Sequence, residues 1–162
     1  MKREYIDAFH LYKNDIYRLA YSYTKNKADA DDITQNVLIK MHQHFYKFDN
    51  ESVLKKWWVK VTINECKNLF KTVWKRKILP ISSHEGNMEV ITPSQEENPV
   101  LTAAQSLSQK YRTVIHLYYY EEYKVSEIAE ILKTKESTII SRLFRARKIL
   151  KDKLEGGWND EE

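Results

Sequence analysis

The chain has 162 residues, enough for one ordinary domain or two small ones, with only three glycines, three prolines and one cysteine. The lone Cys66 excludes a disulfide framework and points to a reducing cytosol, and no apolar run reaches membrane length. The net charge of +4 is modest but segregated: residues 1–79 carry 16 Lys/Arg against 9 Asp/Glu, residues 80–100 four Glu and no base, and residues 101–162 11 against 10. Such a distribution suits a polyanion held by particular surfaces rather than by the whole protein. The N-terminus, MKREYIDAFHLYK, lacks the pattern of a signal peptide.

With Leu, Ile, Lys, Glu and Ala recurring at helical spacing, the predicted fold is all-α. Phe9, Tyr12, Ile16, Leu19 and Tyr23 form one apolar stripe, and Ala30, Ile33, Val37, Met41 and Phe45 a second. KNKADAD breaks the pattern between them, and Asp29 with Asp32 has the spacing of a helix cap and its capping-box partner. FDNES, residues 48–52, is the next break and opens a helix rich in tryptophan.

That helix, KKWWVKVTINECKNLFKTVWKRK, sets three tryptophans among eight basic residues. Val59, Ile63, Cys66, Phe70 and Val73 follow steps of four and three and predict a buried stripe. Trp57, Lys60, Asn64, Lys67 and Lys71 share another face: a stacking ring, an amide and a row of ammonium groups. Lysines in a row can track phosphates, an aromatic can stack on an unpaired base, and an amide can read a base edge. Two readings fit this face. Its tryptophans cap the core while its lysines solvate the helix, or the face binds nucleic acid; the single amide centred in the basic stripe favours the second.

PISSHEGNMEVITPSQEENPV, residues 80–100, holds all three prolines and no sustained periodicity, and reads as an acidic, flexible linker. Helices are predicted beyond it at about residues 101–107, 110–122, 126–132 and 137–154. The last two, joined by KTK at 133–135, outline a helix-turn-helix. Ala129 is small where the two would cross, and Ser137 is the expected N-cap of the second. Its predicted buried stripe is Ile139, Leu143, Ala146 and Leu150. Thr138, Ser141, Arg142 and Arg145 lie opposite, flanked by Arg147, Lys148 and Lys151. Few acids stand at i±4 to neutralise these arginines, so DNA recognition is favoured over a salt-bridged surface helix. Arg142 and Arg145 can each make a forked contact to guanine.

The two halves together resemble an extracytoplasmic-function (ECF) sigma factor, the minimal bacterial type with only the second and fourth regions of the sigma-70 family. ADADDITQ is similar to the family's region 2.2, through Ala30, Asp31, Asp32, Ile33, Thr34 and Gln35. The resemblance implies that Asp31, Asp32 and Gln35 dock on the clamp helices of the largest subunit of core RNA polymerase. Asn36 stands where the family often has an acid. FDNESVLKKWWVKVTINECKNL resembles the loop and helix that open and read the −10 element. By that resemblance Phe48, Asp49 and Asn50 belong to the loop receiving a base flipped from the non-template strand. Trp57, Lys60, Asn64, Lys67 and Lys71 then become the surface for the single strand.

EIAEIL, a turn and STIISRLFRAR resemble region 4, which reads the duplex −35 element and meets the flap of the polymerase. Ser137, Thr138, Ser141, Arg142, Arg145, Arg147 and Lys148 are then the −35 contacts. Ser108 replaces a frequent proline, Ser137 a frequent glycine and Lys124 a capping serine, and the turn has no glycine. The domains implied are region 2 over 1–79, a linker over 80–100 and region 4 over 101–156.

The function implied is that of an alternative sigma factor directing transcription initiation from specific promoters, with no catalytic residue, no cofactor, no small-molecule substrate and an anti-sigma factor as regulator. A freestanding helix-turn-helix regulator would use the C-terminal pair alone, and a single-strand binding module the tryptophan face alone. His42 and His44 point to different helix faces, which argues against a metal site, and the acids at 29, 31 and 32 read as capping or docking groups. No P-loop, phosphate cradle or nucleophile elbow is present in the sequence. Tyr118, Tyr119, Tyr120 and Tyr123 are expected to pack the helix before the helix-turn-helix, Cys66 to be core, and GGWNDEE to be a frayed tail.

Overall fold

Apolar residues spaced by three and four become helices that can only be buried against one another, and the computed structural model shows this outcome twice. It describes residues 2–77 and 99–159, and every regular element among them is helical. The chain divides into two units, residues 1–89 and 90–162. The predicted linker lies outside the described residues, except that Pro99 and Val100 already open a helix. Among the described residues no helix is long and apolar enough to cross a membrane.

In the first unit α1 (Lys2–Thr24), α2 (Lys27–His44) and α3 (Glu51–Lys77) pack pairwise. Tyr12, Ile16, Leu19 and Tyr23 are buried as the first stripe requires, while Phe9 is half-buried. Ala30, Ile33, Val37 and Met41 meet them, but Phe45 is half-buried in a short 3-10 turn, Phe45–Lys47. From α3 come Leu54, Trp58, Val59, Thr62, Ile63 and Cys66. Lys40 and Glu65 form an ion pair joining α2 to α3.

The stripe on α3 ends sooner than its spacing suggests: Phe70 is 39% exposed and lies against Tyr23 at 5.1 Å between ring centres. The side chain of Val73 is outside the described residues. The cap of α2 also differs from expectation. Lys25 ends α1 in the left-handed conformation (φ 51°), and Asn26, not Asp29, caps α2, its side chain accepting the Asp29 N–H at 3.0 Å. Asp29 is therefore in the first turn, where a carboxylate favours the positive end of the helix dipole.

The second unit contains α4 (Pro99–Gln105), α5 (Gln109–Ile115), α6 (Val125–Leu132) and α7 (Glu136–Asn159). The expected continuous helix over 110–122 is interrupted: α5 gives way to a π turn at His116–Tyr120, where the Glu121 N–H reaches back to the His116 carbonyl at 3.1 Å. The widened turn leaves Tyr119 and Tyr120 55% and 46% exposed, so these two do not pack inward as expected.

Ile128, Ala129 and Ile131 of α6 and Ile139, Leu143 and Ala146 of α7 close the core with Val114 and Leu117. Leu150 is only half-buried. The turn lacking glycine is made by Lys133 in the left-handed conformation (φ 55°). Thr134 N–H bonds to the Ala129 carbonyl at 2.9 Å and Lys133 N–H to that of Glu130 at 3.3 Å, the paired bonds of a Schellman end. Ser137 is not the cap of α7. The Lys135 carbonyl accepts from Thr138 and Ile139 at 3.1 and 3.2 Å, which puts Ser137 inside the first turn. At the other end α7 runs on to Asn159, through residues expected to be frayed.

Candidate nucleic-acid interface

The adjacent tryptophans of α3 separate because 100° of helical rotation lies between neighbours. Trp58 is fully buried, 5.8 Å from the ring of Tyr12, whereas Trp57 is half-exposed on the outer side. The loop before α3 folds back toward Trp57. Phe48, extended at φ −100°, ψ 120°, brings its ring to 5.0 Å from the indole at 54°. His44, in the last turn of α2, approaches the same indole edge-on at 6.2 Å.

Asp49 and Asn50 are exposed beside this cluster, and the Asn50 side chain accepts the Val53 N–H at 2.9 Å, capping α3. The loop is thereby fixed to the helix it precedes. Asn64 and Lys71 are exposed and Lys60 and Lys67 half-exposed along the same helix, so the amide–lysine face continues from the aromatic cluster. Sequence spacing presents His44 only as a possible metal ligand. Its place beside Trp57 depends on the packing of α2 against α3, which no local spacing reveals. Among the described residues no group of three or more His, Cys, Asp or Glu is arranged to hold a metal ion.

On α2, Asp31, Asp32 and Gln35 are all exposed, with Asn36 and Ile39 (57% exposed) beside them. This makes a polar face bordered by one apolar side chain, turned away from the unit's core. Behind it, burial pushes the Cys66 thiol up to about 12, with smaller repulsion from Glu65 and Asp29. The thiol is protonated at neutral pH and therefore unreactive.

In the second unit Ser137, Thr138, Ser141, Arg142 and Arg145 line one open groove, as their shared helical face predicts. Lys110 and Tyr111 of α5 line it too. The helix-turn-helix pattern marks neither, because their approach to α7 is a contact between elements remote in sequence. Lys148 is exposed, one turn beyond Arg145. Arg147 is turned elsewhere: its Nε donates to the Tyr119 hydroxyl at 2.6 Å, and its guanidinium lies 5.2 and 5.5 Å from the Tyr118 and Tyr119 rings. Arg147 thus ties α7 to the π turn and stands apart from the groove.

Comparison with known proteins gives this geometry a family. Residues 8–76 match the model of sigma-70 region 2, and residues 97–150 that of sigma-70, region 4. The RNA polymerase sigma factor SigV of Bacillus subtilis (strain 168) is 31% identical over 147 residues, covering 88% of this chain and 86% of SigV. The ECF RNA polymerase sigma factor SigM of the same organism is 31% identical over 161 residues, covering 96% and 98%. Among solved structures, the sigma factor RpoE of Bartonella quintana, crystallised with the anti-sigma factor NepR, matches with a TM-score of 0.70 at 22% identity, over 94% of this chain and 98% of RpoE. CnrH, solved with the cytosolic domain of CnrY, matches with a TM-score of 0.63 at 17% identity, over 96% and 90%. At those identities the structural likeness speaks for the fold.

Proposed function

The chain belongs to the ECF sigma factors of RNA polymerase, and from that premise we propose how its surfaces divide the work of promoter recognition. The first unit grips core polymerase through Asp31, Asp32 and Gln35. Its loop from Phe48 to Asn50 and the Trp57–Asn64–lysine face of α3 hold the melted −10 strand. The groove of α7 reads the −35 duplex.

The observation that carries this division is that one chain holds both surfaces on separate units: aromatic rings with an amide and lysines on one, hydroxyls with guanidiniums on the other. A base taken from the stack needs a ring to lie on, and Trp57 with Phe48 supplies one; flipping costs a few kcal/mol that the pocket must return. Duplex edges are read in the major groove by short hydroxyls and forked arginines on the first turns of a helix.

Residues 80–100, with four Glu and no Lys or Arg, have the charge to follow a basic channel of the polymerase. Held together on the enzyme, two weak DNA contacts reinforce each other through effective concentration. The chain itself supplies no catalysis, which belongs to the polymerase; it works in the cytoplasm, and an anti-sigma factor covers it when idle.

The deciding experiment is size exclusion of the purified chain with core polymerase and no DNA. A stoichiometric complex is expected, lost on Asp32→Arg. If no complex forms and the chain alone binds duplex tightly, a freestanding regulator replaces this reading.

A further inference from the structure

The groove beside α7 has two walls, and only one of them is the helix-turn-helix. Thr138, Ser141, Arg142 and Arg145 form the α7 wall, and Lys110 with Tyr111 the other. No carboxylate is among the lining residues. Among the described residues none of Lys110, Arg142 and Arg145 enters an ion pair. Three cations gathered around one concavity without a counter-charge repel one another, a cost relieved only when an anion enters. Other cations of the same unit are engaged: Arg147 lies on two tyrosine rings, Arg112 donates to the Leu107 carbonyl at 2.6 Å, and Lys151 pairs with Glu155 at 3.9 Å, whereas Lys133, Lys135 and Lys148 are exposed outside the groove.

Lys110 is also held. Its ammonium lies 5.0 Å from the centre of the Tyr111 ring, a cation–π contact that restrains an otherwise free four-carbon chain. Tyr111 is itself half-buried. An ammonium is a point charge without the fork that discriminates guanine, so Lys110 suits a phosphate rather than a base edge.

We propose that Lys110 is a phosphate-positioning residue of the duplex site, gripping the DNA backbone beside the base pairs that α7 reads, and that Tyr111 holds its ammonium in place. This rests on the reading of α7 as the −35 recognition helix and adds a wall from outside the helix-turn-helix. Its contribution is affinity without sequence preference.

The test uses the full chain bound to core polymerase. The probes are duplexes selected by that complex from a randomised pool, and the unselected pool. Lys110→Gln is expected to weaken both probes equally, by roughly three- to tenfold near 0.15 M salt. It should also flatten the slope of log K against log salt by about 0.9, one phosphate's worth. Lys110→Arg should restore the slope. Tyr111→Phe keeps the ring and should behave as wild type, whereas Tyr111→Leu should approach Lys110→Gln. An unchanged slope in Lys110→Gln overturns the proposal, as does a loss confined to the selected duplex. Arg142→Ala runs alongside: it should shrink the preference for selected over unselected duplex, and if it does not, the −35 reading of α7 fails whatever Lys110 does.

Discussion

Helices α3 and α7 share a plan but end in different surfaces. Each buries a stripe spaced by three and four and turns a basic face outward. The outer face of α3 carries lysines, the exposed amides of Asn64 and Asn68 and an indole beside a loop, whereas that of α7 carries hydroxyls and arginines closed in by α5. Lysine is a point charge on a flexible stem, and arginine is a planar fork with fixed geometry. A melted strand has a variable path and exposed ring faces; a duplex presents edges at set positions. The chemistry of each face therefore matches the stiffness of its proposed target.

The largest effect expected separates core from surface within α3. Trp58→Ala removes a fully buried ring and should cost about 3–5 kcal/mol of stability, read as a shifted urea midpoint. Trp57→Ala should cost clearly less, about 1–2 kcal/mol, because its ring is only partly buried and loses chiefly its contacts with Phe48 and His44. Equal losses would mean that the two rings are not divided between core and surface.

Alkali should distinguish the two units next. Burial raises the Cys66 thiol from 9.0 to about 12 in the first unit and raises the Tyr123 hydroxyl above 10.0 in the second. For both groups folding favours the protonated form. Their contribution is thus complete below the unfolded value and is lost as pH climbs toward the folded one. The first unit should weaken from about pH 9, by up to about 1.4 kcal/mol per pH unit, and the second from about pH 10. Circular dichroism followed against pH, with iodoacetamide labelling of Cys66 as the marker of the first unit, measures the order. Rapid labelling of the folded chain at pH 8 would contradict the buried, protonated thiol.

The functional contrast is the next in size. On the polymerase complex, Arg142→Ala should cost about 1–3 kcal/mol for the preferred −35 duplex and relax sequence choice. Trp57→Ala should cost a similar 1–3 kcal/mol on single-stranded −10 DNA while leaving −35 preference alone. Lys67→Ala should weaken −10 contact broadly and lower its salt dependence by about one phosphate. A variant that moved both elements together would break the assignment of one surface to each unit.

Much of this was legible in the chain because burial repeats with the helix. Ile16, Leu19, Ile33, Val37, Val59, Ile63, Ile139 and Leu143 all stand at 3.6-residue spacing and are all buried. What escaped detection was set by contacts between elements or by backbone choices with near-equal energies. Asn26 and Asp29 are both good caps by residue type, and Asn26, directly after the left-handed Lys25, is the one from which the helix begins. The π turn at His116–Tyr120 has no counterpart in the spacing of apolar residues. The approach of His44 to Trp57, and of Lys110 and Tyr111 to α7, joins residues remote in sequence.

The smallest expected effect concerns a solution that the two units share. Each makes its tight turn with a left-handed lysine, Lys25 at φ 51° and Lys133 at φ 55°. That conformation costs a residue with a Cβ about 1–2 kcal/mol. Glycine would remove the strain but give back roughly 0.5–1 kcal/mol through the greater freedom of the unfolded chain. Lys133→Gly should therefore stabilise the second unit by about 0–1.5 kcal/mol net, seen as a small rise in its melting midpoint. The Lys133 side chain is exposed, and the turn's bonds to the Ala129 and Glu130 carbonyls use only backbone groups, so the angle between α6 and α7 should persist. Promoter preference should persist with it. A loss of −35 binding in Lys133→Gly, with stability unharmed, would instead mark the lysine as a contact to DNA, extending the basic surface of the second unit into the turn itself.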